Sequence, residues 1–138
     1  MAAFLIDNDV FFASLYTGHA NHKISREWLD QAKPQGWAIA TETFLGAMRL
    51  LMNPAVMGAT PLTGAMAWSV VQMECAGPFP AEPIFATKNP DEQIFQQATG
   101  HKQVMDFWLI QLAREHQLKL ATRDQGLLQN WPKHTIGV

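Results

Sequence analysis

Short apolar runs that break off into polar residues constrain this chain more than any other feature. Phe4-Leu5-Ile6 runs into Asp7-Asn8-Asp9, Trp37-Ala38-Ile39-Ala40 into Thr41-Glu42, and Leu118 to Thr122 into Arg123-Asp124. Runs of this length, closed by polar clusters, have the pattern of buried strands. Ile84-Phe85-Ala86 and the stretch from Thr135 to Val138 extend the series.

Between the runs, apolar residues recur at helical spacing. Val10 to Leu15 fills a first helix, which Gly18 interrupts. Ile24, Trp28, Leu29 and Ala32 form one face of a segment from His19 to Lys33, and Pro34 and Gly36 stop it. Thr41 is suited to cap a helix through Phe44, Leu45, Met48, Leu51 and Met52, which Asn53-Pro54 ends. Pro61 to Met73 predicts another helix. Asn89-Pro90-Asp91-Glu92, with Asn as cap and Pro at the first helical position, opens a short one to Ala98. Lys102 to His116 is amphipathic through Met105, Leu109, Leu112 and His116.

Strands separated by helices pair in parallel, because a helical crossover joins parallel strands and a hairpin cannot. The expected fold is α/β, with a small parallel sheet. At 138 residues the chain has the length of a single domain, 1–138. Its 48% hydrophobic and 16% charged residues exclude a disordered chain.

Ten basic residues against twelve acidic ones argue against a protein that holds nucleic acid chiefly by counterion release. Any nucleic-acid contact is expected to be local. The lone Cys75 forms no internal disulfide, which makes a cytoplasmic location the default. No apolar run approaches the roughly 20 residues that span a bilayer. The opening MAAFLIDNDV carries two acids where a secretory signal has its apolar centre, so it is expected to belong to the mature fold.

The chemistry concentrates at strand ends. Asp7 and Asp124 lie just beyond the carboxyl ends of two strands, the edge at which open parallel sheets bind ligands. Glu42 follows the strand ending at Ala40, and Asp106 sits in the first turns of the helix that leads into the last main strand. Carboxylates gathered there repel one another unless they meet protons, cationic side chains or a metal. Their hard oxygens suit Mg²⁺ or Mn²⁺. Such a site is suited to phosphodiester hydrolysis, one ion making a nucleophile of water and a second stabilising the leaving oxygen; one ion and two both fit the sequence.

Each acid also has a plainer reading. Asp7 can cap the next helix, Glu42 can complement a helix dipole, Asp124 before Gln125-Gly126 suits a turn, and Asp106 can be a solvated surface acid. His19 and His22 are three residues apart, but no further ligand pattern accompanies them. His116 is expected at the core edge, Cys75 lacks a nucleophile motif, and no phosphate-cradling Gly-Lys loop or Gly-x-Ser-x-Gly elbow is present.

Four segments occur in a telling order: Leu5-Ile6-Asp7-Asn8-Asp9-Val10, Thr41-Glu42 to Arg49 with Asn53-Pro54, Val104-Met105-Asp106 to Leu112-Ala113, and Leu120-Ala121-Thr122-Arg123-Asp124. From Phe4 to about Leu127 the chain resembles PIN-domain ribonucleases of the VapC toxin type. The resemblance implies a five-stranded parallel sheet between helices, a Mg²⁺ or Mn²⁺ pocket, and endoribonuclease action on RNA as the toxin of a toxin–antitoxin pair. It also implies a cognate antitoxin whose C-terminal segment covers the pocket, and a homodimer.

Residue by residue, Asp7, Asp106 and Asp124 match the family's metal-binding acids, and Glu42 matches a further acid in the form the toxin subgroup carries after a Thr. Thr122 matches a hydroxyl residue bordering the metal site, and Arg49 an arginine kept on the same helix as Glu42. Arg49, Lys102 and Arg123 are the expected phosphate contacts. Two positions depart from the family: Asp9 stands where Asn or Ser is more usual, and Glu42 lies about one turn before the second acid of many other PIN proteins. The alternative reading is a PIN-like module without catalysis, which binds a metal or a partner.

Overall fold

A computed structural model describes residues 2–138. Five parallel strands, β1 (Phe4–Ile6), β2 (Trp37–Ala40), β3 (Glu82–Ile84), β4 (Lys119–Thr122) and β5 (Thr135–Gly137), form one sheet in the order β3-β2-β1-β4-β5. Among the described residues eight α-helices connect them: α1 (Asn8–Leu15), α2 (His22–Ala32), α3 (Thr41–Met52), α4 (Pro54–Met57), α5 (Gly64–Cys75), α6 (Glu92–Phe95), α7 (Gln103–Glu115) and α8 (Gln125–Asn130). This is a PIN-like α/β fold. No helix among the described residues is long and apolar enough to cross a membrane.

Alternation along the strands sorts the core into two layers, because successive side chains point to opposite sheet faces. Leu5, Ala38, Ala40 and Leu120 join Leu109, Ile110 and Leu112 of α7 on one face. Ile6, Trp37, Ile39 and Ala121 join Phe11 of α1, Leu29 of α2, Ala47 of α3 and Val71 of α5 on the other. The strands are therefore covered on both sides, which is why they are almost continuously apolar.

The second layer carries a polar tie. Glu74 of α5 accepts hydrogen bonds from Arg26 of α2, at 2.5 Å, and from Lys33 just beyond α2, at 2.8 Å. Lys33 also lies over the ring of Trp37, 5.0 Å from its centroid.

Several element boundaries differ from expectation. The third strand lies at 82–84 rather than 84–86: Ile84 is its buried residue, while Phe85 is exposed beyond it. Pro83 is tolerated because β3 is an edge strand. Thr41 does not cap α3; it is already the first helical residue, and Ala40 occupies the flanking position without a side-chain bond. Asp91 caps α6 in place of Asn89, accepting from the Gln93 amide at 2.9 Å. The helix expected from Pro61 starts at Gly64 and is capped by Thr63. Beyond Asp124 the chain forms α8, where a turn was expected.

Candidate active site

The chain builds β1, β2 and β3 outward in one direction, then returns to lay β4 and β5 on the opposite side of β1. The crevice above β1 and β4 is therefore the topological switch point, the place where open α/β sheets bind ligands. Asp7 leaves β1 there and Asp124 follows β4.

Both also cap helices, so the plain and the functional readings coexist. Asp7 Oδ1 accepts from the Asn8 amide at 2.8 Å, and Asp124 Oδ1 accepts from the Leu127 amide at 3.0 Å. Between them stands Thr122, fully buried. Its hydroxyl donates to Asp7 Oδ2 at 2.6 Å and accepts from the Asp124 amide at 3.0 Å. One side chain thus fixes both strand-end carboxylates.

Asp106, in the first turn of α7, completes the group. Asp7, Asp106 and Asp124 line one open cavity of about 470 Å³ together with Asn8, Asp9, Asn21 and Arg123. Burial pushes the Asp106 carboxyl up to about 6, and the charges of Asp7 and Asp124 push the same way. Burial also raises Asp7, against the hydrogen bonds from Thr122 and Asn8; Asp9 and Asp124 add to the rise. The carboxylates destabilise one another's charge, and that condition is relieved by a cation or by protons.

Among the described residues no three His, Cys, Asp or Glu side chains close into a ready-made metal cage. Mg²⁺ keeps several waters and binds through one or two carboxylates plus substrate phosphates, so it does not need three side chains at once. The donors are hard oxygens, as Mg²⁺ and Mn²⁺ require.

Asp9, the departure from the family pattern, is compensated. Arg123 donates to Asp9 Oδ2 and to Ser25 Oγ, and His19 Nε2 lies 3.1 Å from Asp9 Oδ1. Arg123 is thereby committed to Asp9 while its guanidinium still borders the cavity. It is the single cation on that wall among the described residues.

Other expected residues fall elsewhere. Glu42 does not line the acid cavity; its Oε1 accepts from Trp108 Nε1 at 3.1 Å. Its neighbour Thr43, buried on α3, reaches the site instead and donates to Asn8 Oδ1. Arg49 lines an adjoining cavity of about 250 Å³ with Gly46, Leu50 and Asn53, and Asn8 borders both cavities. Lys102 is exposed beside the start of α7 and lines neither.

Asn8, Asn21 and Thr43 are site residues that the sequence did not disclose. Asn8 had a signal, its place directly after a strand-end acid; Thr43 had none, since its contact spans 35 residues of chain. The remaining reactive side chains have structural partners. His22 bonds the Ala13 carbonyl, His116 bonds the Phe85 carbonyl, and burial together with the Glu74 charge pushes the Cys75 thiol up to about 11.

A parallel five-stranded sheet whose switch point brings Asp7, Asp106 and Asp124 to one cavity defines the class, a PIN-like α/β protein. No family model matches the chain. It is similar to three Mycobacterium tuberculosis proteins over most of both partners' lengths. Identity to ribonuclease VapC38 is 28% over 137 residues, covering 96% of this chain and 94% of that protein. Identity to ribonuclease VapC41 is 30% over 138 residues, covering 91% of each. Identity to ribonuclease VapC29 is 32% over 124 residues, covering 89% and 86%. The chain belongs to the VapC ribonuclease family.

Proposed function

We propose that the chain is a Mg²⁺-dependent endoribonuclease and acts as the toxin of a toxin–antitoxin pair, with RNA as substrate and a cognate antitoxin as partner. One observation carries this reading. Three carboxylates from distant parts of the chain line one cavity at the sheet's switch point, and the only cation on its wall among the described residues is already paired with Asp9.

Asp7, Asp106 and Asp124 are assigned to hold the ion. Asp7 is the most rigid of them, since both its oxygens accept fixed hydrogen bonds. Thr122 positions Asp7 and Asp124 relative to each other. Mg²⁺ held there supplies a lowered pKa for water and charge compensation for an RNA phosphodiester, and Mn²⁺ fits the same donors. Glu42, held by Trp108, is assigned to the substrate side of the reaction rather than to the ion.

Asn8 connects the acid cavity to its neighbour, which Arg49 lines, and both are assigned, with Arg123, to the RNA backbone. Lys102 extends this basic approach from the start of α7. A homodimer belongs to the same reading and is tested by sedimentation.

The purified protein is expected to cut RNA in Mg²⁺, to stop when EDTA is added, and to resume when Mg²⁺ is restored in excess. Mg²⁺ binding without any cleavage would favour the module that binds but does not catalyse.

A further inference from the structure

Beside the acid cavity lies the smaller one, of about 250 Å³, which Asn8, Gly46, Arg49, Leu50 and Asn53 line. At about 30 Å³ per water molecule, that is room for a phosphate group and the waters it keeps. No carboxylate stands on this wall, in contrast to the acid cavity, and Asn8 is the residue that the two share.

The side chains of the wall offer donors. Thr43, buried on α3, donates to Asn8 Oδ1, which fixes the amide and leaves its Nδ2 without a partner among the described residues. Asn53 Oδ1 accepts from the Ala55 amide at 2.9 Å, so its Nδ2 is likewise left over. Arg49 is exposed and makes no ion pair among the described residues. An unpaired guanidinium with two amide groups and no acidic neighbour is a setting for an anion, and a guanidinium meets a phosphate through two parallel hydrogen bonds.

Gly46 is a second, independent mark. It stands in the interior of α3, where glycine is less favourable than alanine. Packing does not account for it: a Cβ there would meet no side chain and no other element within 4 Å. What the missing side chain preserves is open space on the cavity wall, and glycine is the residue that lets a ligand approach backbone closely.

We propose that this cavity binds one non-scissile phosphate of the RNA strand, the neighbour of the phosphate that meets the ion. The proposal rests on the ribonuclease reading above and goes further in two respects. The site takes its phosphate without a metal, and it makes a flanking phosphate a requirement for efficient cutting. Two cavities with a common wall residue can take consecutive phosphates of one strand. Phosphate contacts fix a strand's position and carry no sequence information, so the site sets register and minimum length rather than base preference.

The first test titrates the full-length protein in EDTA, at constant ionic strength, with inorganic phosphate, followed by two-dimensional NMR. Phosphate is expected to shift the Asn8 side-chain amide and the backbone of Gly46 and Arg49, and to lose at least about tenfold in affinity in Arg49→Gln. Gly46→Leu fills the open space with a good helix former; it is expected to keep the parent's thermal stability and to lose phosphate binding. The second test, in Mg²⁺, compares diribonucleotides that end in hydroxyls with the same molecules phosphorylated at the 5′ or the 3′ end. One of the two terminal phosphates is expected to raise kcat/KM at least about tenfold, chiefly through KM, and both substitutions are expected to bring that ratio close to one. Phosphate shifts confined to other parts of the protein, binding indifferent to both substitutions in folded variants, or equal kcat/KM for all three substrates would overturn the site. Phosphate binding that depends on Arg49, with no RNA cleavage in Mg²⁺, would overturn the ribonuclease reading and leave an anion site standing.

Discussion

Asp106 carries a charge that its own chain does not support. Partial burial raises its pKa to about 6, and the charges of Asp7 and Asp124 add to the rise. Asp106→Asn keeps the shape and removes that repulsion. In EDTA this variant is expected to be more stable than the parent by about 1 kcal/mol, after discounting for solvent screening of a half-exposed group, or roughly 3–5 °C in Tm. Its Mg²⁺-dependent RNA cleavage is expected to fall by at least about 100-fold, so a thermal scan and a cleavage assay on the same preparation should move in opposite directions.

Asp9 and Arg123 make a second residue-scale case. A double-mutant cycle of Asp9→Asn and Arg123→Gln, read by urea unfolding, is expected to give a coupling of about 0.5–1 kcal/mol, the range for a pair with one exposed partner. Additive effects would show that Arg123 does not compensate Asp9. Thr122→Val is more severe. It removes the hydroxyl that Asp7 and the Asp124 amide both use, and its expected cost is about 1–3 kcal/mol in unfolding free energy.

At the scale of elements, α2 and α5 are tied by Glu74 with Arg26 and Lys33. The three side chains are largely buried, and removing the shared acceptor strands two cations. Glu74→Ala is expected to cost about 2–3 kcal/mol, measured by chemical unfolding, without touching the acid cavity.

The elements also show what a sequence discloses. Strand ends were legible because an apolar run closed by a polar cluster has few other uses, and Asp7 and Asp124 were found through them. Asp106 was legible from its place in the first turn of an amphipathic helix, α7. Glu42 was not, because a first-turn side chain goes where its tertiary neighbour lets it, and here Trp108, 66 residues away, holds it. The pairing of Asp9 with Arg123 spans 114 residues and left no local mark. Thr41 had the right type for a cap but stood one residue inside the helix, since β2 runs to Ala40.

For the whole molecule, a near-neutral formal charge of −2 hides two opposed titrations. The folded chain holds the Asp106 proton up to about pH 6, whereas the ordinary value is 3.8. The folded state therefore binds the extra proton between those values, and stability falls as pH rises through them. Glu74 has the opposite sign. Burial pushes it up, but the hydrogen bonds and charges of Arg26 and Lys33 outweigh burial and hold it below 4.5. Its stabilisation is present above the unfolded value and is lost as pH falls through the folded one. Because Glu74 contributes in full above about 4.5 while the loss at Asp106 runs from 3.8 to about 6, stability in EDTA is expected to be highest near pH 4.5 and to fall from there to about pH 6. A saturating divalent cation favours the ionised cavity, so Mg²⁺ should raise Tm more at pH 7.5 than at pH 5, which thermal scans across pH with and without Mg²⁺ will read.

The assignment of Asp7, Asp106 and Asp124, at the switch point of the parallel sheet, to the ion that drives RNA cleavage is open to direct test. Its most direct measurement is the Mg²⁺ dependence of RNA cleavage by the parent and by Asp106→Asn, each shown to be folded by circular dichroism. Cleavage by the parent is expected to saturate with Mg²⁺ and to vanish in EDTA, and the variant is expected to reach at most about one hundredth of that rate at any Mg²⁺ concentration. Equal rates in a folded Asp106→Asn protein, or parent cleavage that persists in EDTA, would contradict it.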